Sequence, residues 1–448
     1  MWMTGREGGA ARRAAPDAAG SGLPGDHPGE AVGDTVVIGA GIVGLCVAWY
    51  LLREGGARDG ATVTVLDPAA PGSGTSSGNA GAISQGSVAP LAMPGVLKQV
   101  PRMLLDPAGA LRVPPAYWPR ALPWLARFVS AARPERVAAI AEALSRLLAH
   151  APERHREIAA AEGASHLLED NGQLYAYRDE SQLTKDMTGW ELRRRHGQHW
   201  QRLDSAELHE LEPAVSPDYA IGILVPEQGL CVNPWRHAQM VADGVQRAGG
   251  VFLRRRATAI ATEGGRVVGV ETDAGRVPAA RVVIAAGAWS APLLRPLGYR
   301  VPLESQRGYH VDLHAPGIRP RRPVVAADRK VFVSPMDFGV RVAGTVEFGG
   351  LQRPADPQRA ALLLRDLAAL FPGMRTEPAG EPWMGHRPCL PDSLPVLGPV
   401  ARWPGLWTAF GHGHLGLTGS APTGALLAQA MLGRRPNFDF SPFAPERF

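Results

Sequence analysis

The stretch Thr35–Pro68, TVVIGAGIVGLCVAWYLLREGGARDGATVTVLDP, constrains this chain more than any other. A short β-branched run ends in Gly39-Ala40-Gly41-Ile42-Val43-Gly44, and an apolar helix pattern follows. A second run, Val63–Leu66, stops at Asp67. Parts in that order make a βαβ unit built to take a dinucleotide. Gly39 allows the tight turn, Gly41 lets the backbone approach a pyrophosphate, and Gly44 lets the helix lie close to the strand. The helix N-terminus offers unpaired N–H groups and a positive dipole end to the phosphates. Asp67 lies 23 residues past Gly44, about where a carboxylate accepts the ribose hydroxyls.

The run after Asp67 separates the two common dinucleotides. A nicotinamide dehydrogenase has no obvious use for Gly72-Ser73-Gly74-Thr75-Ser76-Ser77-Gly78-Asn79-Ala80-Gly81. Small residues and hydroxyls in such density bring backbone N–H groups and short donors against a long polar ligand, such as a pyrophosphate with a ribityl chain. With this TSSGNAGAIS loop, the glycine turn and its Asp67, and Arg387–Gly419, the chain resembles the FAD-dependent amino-acid oxidase and dehydrogenase family. That group contains D-amino acid oxidase, glycine oxidase, sarcosine oxidase and bacterial D-amino acid dehydrogenase. The resemblance covers residues 34–440 and is nearest to the D-amino acid dehydrogenases, which share the NAG(A/Q)IS run and the Ala-Pro segment after it. It implies FAD as cofactor, held by Gly39, Ala40, Gly41, Ile42, Val43, Gly44, Asp67, Ser76, Ser77, Asn79, Ala80 and Gly81.

Composition agrees with a large enzyme. With 448 residues, 45% apolar content and 20% charge, two or three domains with sizeable cores are expected. A net charge of +5 with scattered basic residues suits an anionic substrate and gives no nucleic-acid footprint. Arg254-Arg255-Arg256 reads as a solvated face. Cys46, Cys231 and Cys389 lie far apart, which excludes a disulfide scaffold and disfavours a zinc or iron–sulfur site. Cys46 reads as a small buried apolar residue, while Cys389 follows Arg387-Pro388 and falls near the expected flavin site. No metal is expected. Residues 1–33 are rich in Gly, Ala, Pro and Arg without hydrophobic periodicity, and read as a disordered extension. Arg12-Arg13 lacks a following apolar core for export, and no span has the ~18 apolar residues of a membrane helix. The cytoplasm is the expected compartment.

The order of elements predicts an α/β fold, a Rossmann-like FAD-binding domain interleaved with an α+β substrate domain on an antiparallel sheet. The FAD domain takes residues 34–95, 226–300 and 381–448, and the substrate domain 96–225 and 301–380. Glu135–Gly163 reads as one helical segment, and Leu174–Arg178 as a strand. Asn233-Pro234 caps a helix that runs to Arg247. Val251–Ile260 reads as one strand, and Gly264-Gly265 and Ala274-Gly275 mark hairpin turns. Val282–Ala286 ends at Gly287, which the resemblance places beside the cofactor. Val301–Leu313, Val331–Pro335 and Val340–Phe348 read as strands of the substrate-domain floor.

The C-terminal region carries the sharpest chemistry. Met384-Gly385-His386-Arg387-Pro388 precedes a strand, Leu406–Phe410, and the loop Gly411-His412-Gly413-His414-Leu415-Gly416-Leu417-Thr418. Alternating glycines before a helix over Ser420–Leu432 build a second helix N-terminus, suited to the flavin pyrimidine. The resemblance assigns the isoalloxazine ring to this loop, through Gly411, His412, Gly413, His414, Leu415, Gly416 and Thr418. Two histidines could also suggest zinc, but no third ligand follows at metal spacing. Arg387 is the leading candidate for the substrate: a permanently charged fork matches a carboxylate, and burial is costly without such a partner. In glycine oxidase-like relatives the arginine of this motif holds the substrate carboxylate; the competing reading pairs Arg387 with Asp392. Tyr309 is the second catalytic candidate, as a hydroxyl donor at the pocket, against a reading as a cross-strand aromatic. Phe332 falls where some relatives carry an active-site tyrosine.

The resemblance implies oxidation of a D-amino acid or a cyclic imino acid, such as a proline derivative, by hydride transfer to flavin. Electrons then pass to a quinone or an electron-transfer partner; an oxygen-using oxidase and a flavin-binding subunit of a larger dehydrogenase are the alternatives. Pro114–Phe128, in which Tyr117, Trp118, Trp124 and Phe128 alternate with Arg120 and Arg127, suits peripheral contact with the inner face of the cell membrane. Its other reading is a Pro-broken helix packed on its own domain.

Overall fold

The computed structural model describes residues 34–55, 62–95, 111–377 and 379–448. The extension expected to be disordered lies outside the described residues, as does 96–110 of the segment that precedes the aromatic run.

The glycine-turn unit forms as its sequence dictates. Strands Thr35–Ile38 and Val63–Leu66 pair in parallel, joined through helix Ile42–Gly55. Their runs TVVI and VTVL are buried along their whole length, as a sheet covered on both faces requires. The sheet has six strands, in the order Val251–Leu253, Val63–Leu66, Thr35–Ile38, Arg281–Ile284, Leu406–Phe410 and Val396–Pro399, the last antiparallel. Helices Ile42–Gly55, Pro234–Arg247 and Gly416–Met431 cover one face through Leu45, Val241 and Leu427. A three-stranded antiparallel sheet over 257–278 and the short helix Ser290–Leu294 cover the other through Val270 and Leu294.

A nine-stranded mixed sheet stands beside it. Its path runs through Trp383–Cys389, Glu304–Leu313, Gly339–Phe348, Val331–Met336, Val324–Ala326, Gln173–Tyr177, Ile221–Val225 and Gln201–Leu203, while Leu111–Arg112 pairs off this path. Helix Pro357–Leu370 closes its back. Leu363, Leu367 and Leu370 are fully buried there against Val311, Val333 and Val342. Each leucine buried in this way contributes about 2 kcal/mol.

Several expected boundaries shift. Glu135–Gly163 is two helices, Pro134–Leu148 and Ala151–Ala161, separated at Ala149–His150, where Pro152 at the second helix's start cannot continue the first ladder. Val251–Ile260 is likewise two strands, Val251–Leu253 and Ala257–Glu263, in different sheets. The Arg387 motif was expected in the third FAD-domain segment, yet Trp383–Cys389 pairs antiparallel with Glu304–His310 of the nine-stranded sheet.

The aromatic run forms helix Trp118–Ala131, and its rings turn inward. Trp124 is buried, stacks on Phe128 at 5.2 Å and meets Phe348 edge-on, while the Tyr117 hydroxyl donates to Glu304 at 2.8 Å. Leu122, Arg120 and Arg127 remain outside. The aromatic side chains that suited a lipid boundary are therefore spent on internal packing. Among the described residues no helix is long and apolar enough to cross a membrane.

Candidate active site

A cavity of about 950 Å³ runs from the glycine turn to the nine-stranded sheet. At the nucleotide end Gly39 sits at φ 111°, where a Cβ would lie 2.4 Å from the Ala285 carbonyl oxygen. A Cβ on Gly44 would lie 2.0 Å from the Gly39 carbonyl oxygen, so strand and helix touch backbone to backbone. The Asp67 carboxylate accepts the N–H groups of Ala40 at 2.9 Å and Ala69 at 2.8 Å. That leaves lone pairs for a ribose. Ser76 Oγ accepts the Ile42 N–H at 2.9 Å, which docks the small-residue loop onto the turn. Arg256, read as solvated, lines this end as well.

The loop is fastened to the second sheet by Arg341. This buried guanidinium donates to the carbonyls of Ser77 and Asn79, each at 2.8 Å, and grips Asp312 at 2.8 and 2.9 Å. Ser76, Asn79 and Ala80 border the cavity with Gly39, Ala40, Gly41, Ile42 and Val43. Ser77, Gly81 and Gly44 were expected at the cofactor but lie outside the lining. Ser77 Oγ donates to the Ser73 and Gly74 carbonyls, and Gly81 presses against the Cys231 carbonyl. Gly287, at φ 53°, borders the cavity.

Gly411, Gly413, His414, Leu415, Gly416 and Thr418 line the opposite wall. Thr418 Oγ1 accepts the Ser84 N–H and donates to the Ala82 carbonyl, which ties this wall to the small-residue loop. His412 borders the cavity as well, with its ring Nε2 already 3.0 Å from Thr423 Oγ1. Cys389 is buried beside Gly413, and burial pushes its thiol up to about 12, leaving it unreactive.

Register explains the floor. Tyr175 pairs with Val325, Val325 with Phe332, Phe332 with Ala343, Ala343 with His310 and His310 with Trp383. Directly paired residues share a face, so one row crosses six strands. Tyr175, Val325, Phe332, Ala343 and Trp383 all border the cavity. The Trp383 indole stacks on His310 at 4.7 Å and occupies the space above Gly78 and Gly385, where a Cβ would lie 2.2 and 2.0 Å from it. Both glycines are required to seat that ring.

Arg387 lies over this floor. Its Nη1 donates to the Thr345 carbonyl at 3.0 Å, and its guanidinium sits 2.2–2.3 Å from where a Gly308 Cβ would be. Asp392 does not pair with it; that carboxylate binds Arg447 at 2.9 Å. Thr345 itself stands at φ 59°, and its buried hydroxyl has no hydrogen-bond partner. A β-branched residue held in the left-handed region costs on the order of 1–3 kcal/mol, and here it stands at a bulge in its strand. Tyr309 borders the cavity, but its hydroxyl is already committed. It donates to Glu347 at 2.6 Å and accepts the Asp356 N–H at 3.1 Å. Tyr309 alternates onto the core face with Val311 and Leu313, the bulge opposite it lies in the partner strand between Gly344 and Glu347, and Arg307 lies 3.3 Å from Glu347. The expected free hydroxyl donor is thus a buried structural one. Gly308, Thr345, Arg341 and Trp383 were not singled out in the sequence, where each lies in a strand-like run without a motif of its own.

Gly308→Ala follows directly. The atom a methyl would strike is the far end of a flexible side chain, so the fold and the bound flavin should survive. The displaced guanidinium should weaken handling of a substrate carboxylate on the order of 10–100-fold in kcat/KM. Unchanged kinetics in this variant would contradict the placement of Arg387.

Behind the loop helix two buried histidines meet. His155 Nδ1 lies 3.1 Å from His237 Nε2, and His155 Nε2 lies 2.9 Å from the Leu417 carbonyl. Burial lowers His155 to about 4 and His237 to about 3. Unfolded histidines titrate near ~6.5, so on acidification the unfolded chain takes up protons first. Stability from this pair is present above about pH 6.5 and is lost as pH falls towards the folded values. Thermal melting at pH 7, 6 and 5 should show a falling Tm, less steep in His155→Gln; equal slopes would contradict this.

A cavity joining a dinucleotide turn to a half-buried, carboxylate-free arginine suits the site of a flavin-dependent oxidoreductase. The chain belongs to the FAD dependent oxidoreductase family, whose pattern matches residues 34–430. It is 40% identical over 418 residues to a D-amino-acid oxidase of Bradyrhizobium diazoefficiens, covering 92% of this chain and 98% of that one. It is 33% identical over 425 residues to a D-amino acid dehydrogenase of Methylobacterium, with 92% and 98% covered. Its fold matches the crystal structure of glycine oxidase from Geobacillus kaustophilus with a TM-score of 0.71 at 23% identity, covering 93% of this chain and 99% of that one. The cradle suits FAD on its own terms. Gly41 leaves room beside the turn, Asp67 keeps acceptor capacity, and the lining continues from the turn past the small-residue loop to the Gly411–Thr418 wall.

Proposed function

We propose that this enzyme oxidatively deaminates a D-amino acid, or dehydrogenates a cyclic imino acid, and passes the electrons to a quinone or an electron-transfer partner. One observation carries the reading: a half-buried arginine, unpaired with any carboxylate among the described residues, faces the cavity between the flavin loop and an apolar floor. Burial works against its charge, and a substrate carboxylate would offset that cost in bidentate form. The D-configuration is supported by the names of the relatives.

Bound FAD supplies the two-electron acceptor for the substrate Cα–H bond. The protein's share is placement. Arg387 would fix the carboxylate, while the Thr345 carbonyl holds the guanidinium in plane. Val325, Phe332 and Ala343 would exclude water below the reacting carbon. His414 is lowered to about 4 by burial and by the fields of Arg387 and Arg193, and stays neutral near pH 7. An amine entering unprotonated supplies its own lone pair for C=N formation, so no side-chain base is required. The imine would then hydrolyse in water to a 2-oxo acid, or remain cyclic.

The second reading, an oxygen-using oxidase, is favoured by the name of the 40% identical relative. A panel of D- and L-amino acids, prolines included, tests both. The expected result is bleaching of the flavin by D-substrates only, with turnover needing a quinone or dye. Rapid peroxide production without quinone reduction would move the enzyme to the oxidase class. Liposome co-sedimentation at low and high salt, alongside quinone reduction, tests whether the face of Arg120, Leu122 and Arg127 meets a membrane; no lipid binding would contradict that contact.

A further inference from the structure

Past Arg387 the cavity continues along the same face of the nine-stranded sheet, where Gln173, Tyr175, Arg193, Lys330 and Phe332 line it. Gln173 and Tyr175 stand two apart on one strand and share its cavity face, while Leu174 and Ala176 enter the core behind. The Arg193 guanidinium lies 4.5 Å from the Trp190 ring centroid and 6.0 Å from that of Tyr175. Aromatic faces hold a cation in place without neutralising it.

The charge here is left over. Among the described residues no carboxylate pairs with Arg193, whereas its neighbour Arg194 is bound by Glu191. The nearby acid, Asp186, is taken up by the Tyr177 hydroxyl at 3.2 Å and the Lys330 ammonium at 3.5 Å. Asp67, at the opposite nucleotide end, is the one carboxylate among the lining side chains of the described residues. Arg387 and Arg193 both act on His414, which lines the wall they share.

We propose that Arg193 forms a second anion subsite, so that the enzyme favours amino acids carrying a second carboxylate, with one group on Arg387 and the other on Arg193. The proposal rests on Arg387 being the anchor for the α-carboxylate. The strands of Tyr175 and Thr345 are three spacings apart, roughly 14 Å. Two arginines reaching inward across that span leave room for a short dicarboxylate. Tyr175, Val325 and Phe332 provide an apolar bed for its methylenes. A cationic side chain would meet Arg193 and Lys330 instead and be refused by like charge.

The test compares holoenzyme and Arg193→Met with D-glutamate, D-glutamine and D-lysine in anaerobic flavin reduction. Glutarate and butyrate are titrated in parallel by their perturbation of flavin absorption. Wild type should favour D-glutamate over its isosteric amide by ~10-fold or more, and D-lysine should be poorest. Arg193→Met should bring the glutamate-to-glutamine ratio near one, and Arg193→Lys should restore part of it. Glutarate should bind more tightly than butyrate in wild type and equally in Arg193→Met. Equal handling of D-glutamate and D-glutamine by wild type, or a ratio that survives Arg193→Met, would overturn the subsite. If no D-amino acid reduces the flavin, the deamination reading fails, and the glutarate–butyrate comparison still decides the subsite.

Discussion

Arg387→Lys should raise KM for the preferred amino acid by an amount on the order of 2–3 kcal/mol, with flavin content unchanged. The size follows from geometry. The guanidinium lies over Gly308 with one arm on the Thr345 carbonyl, which leaves the rest of its fork to the cavity. An ammonium keeps the charge, but it cannot donate to Thr345 and to both carboxylate oxygens from one plane. Full retention of KM would show that the carboxylate binds elsewhere.

Gly44→Ala should be equally damaging for a different reason. The new methyl would lie 2.0 Å from the Gly39 carbonyl oxygen and 3.3 Å from Ala285 Cβ, and backbone cannot swing aside as a side chain can. The helix must back away from the strand at the turn that receives the dinucleotide. A loss of about 3 kcal/mol or more is expected, with protein purifying largely colourless. Gly189→Ala is the control. Its Cβ would meet nothing within 4 Å, and in a helix it should stabilise by roughly 0.5–1 kcal/mol. A yellow, stable Gly44→Ala protein would contradict the close-packed turn.

Local chemistry was legible in the sequence where it needed no partner. The strand–turn–helix–strand unit around the glycines, the Asn233-Pro234 cap and the hairpins at Gly264-Gly265 and Ala274-Gly275 form as read, because each is decided within a few residues. The motif also pointed to Arg387, which lines the cavity. What failed was whatever depends on pairing across the chain. The bulge opposite Arg307–Tyr309 puts its extra residue in the partner strand, at Thr345–Val346, where no reading of that strand alone can anticipate it. Thr345 reads as an ordinary strand residue, yet its left-handed conformation turns its carbonyl to Arg387. The row from Tyr175 to Trp383 joins residues more than two hundred positions apart. The aromatic helix misled because its rings suit a lipid boundary and a protein interior equally well; only the contacts of Trp124 decide between them.

The most direct measurement is the rate of anaerobic flavin bleaching by a D-amino acid against that by its amide. The amide keeps the amine, the Cα–H bond and the side chain, and removes only the charge that Arg387 would hold. If the substrate carboxylate rests on Arg387, the acid should bleach the flavin more efficiently by about two orders of magnitude, and Arg387→Lys should erase most of that gap. Equal rates for acid and amide in the wild-type enzyme would contradict the account.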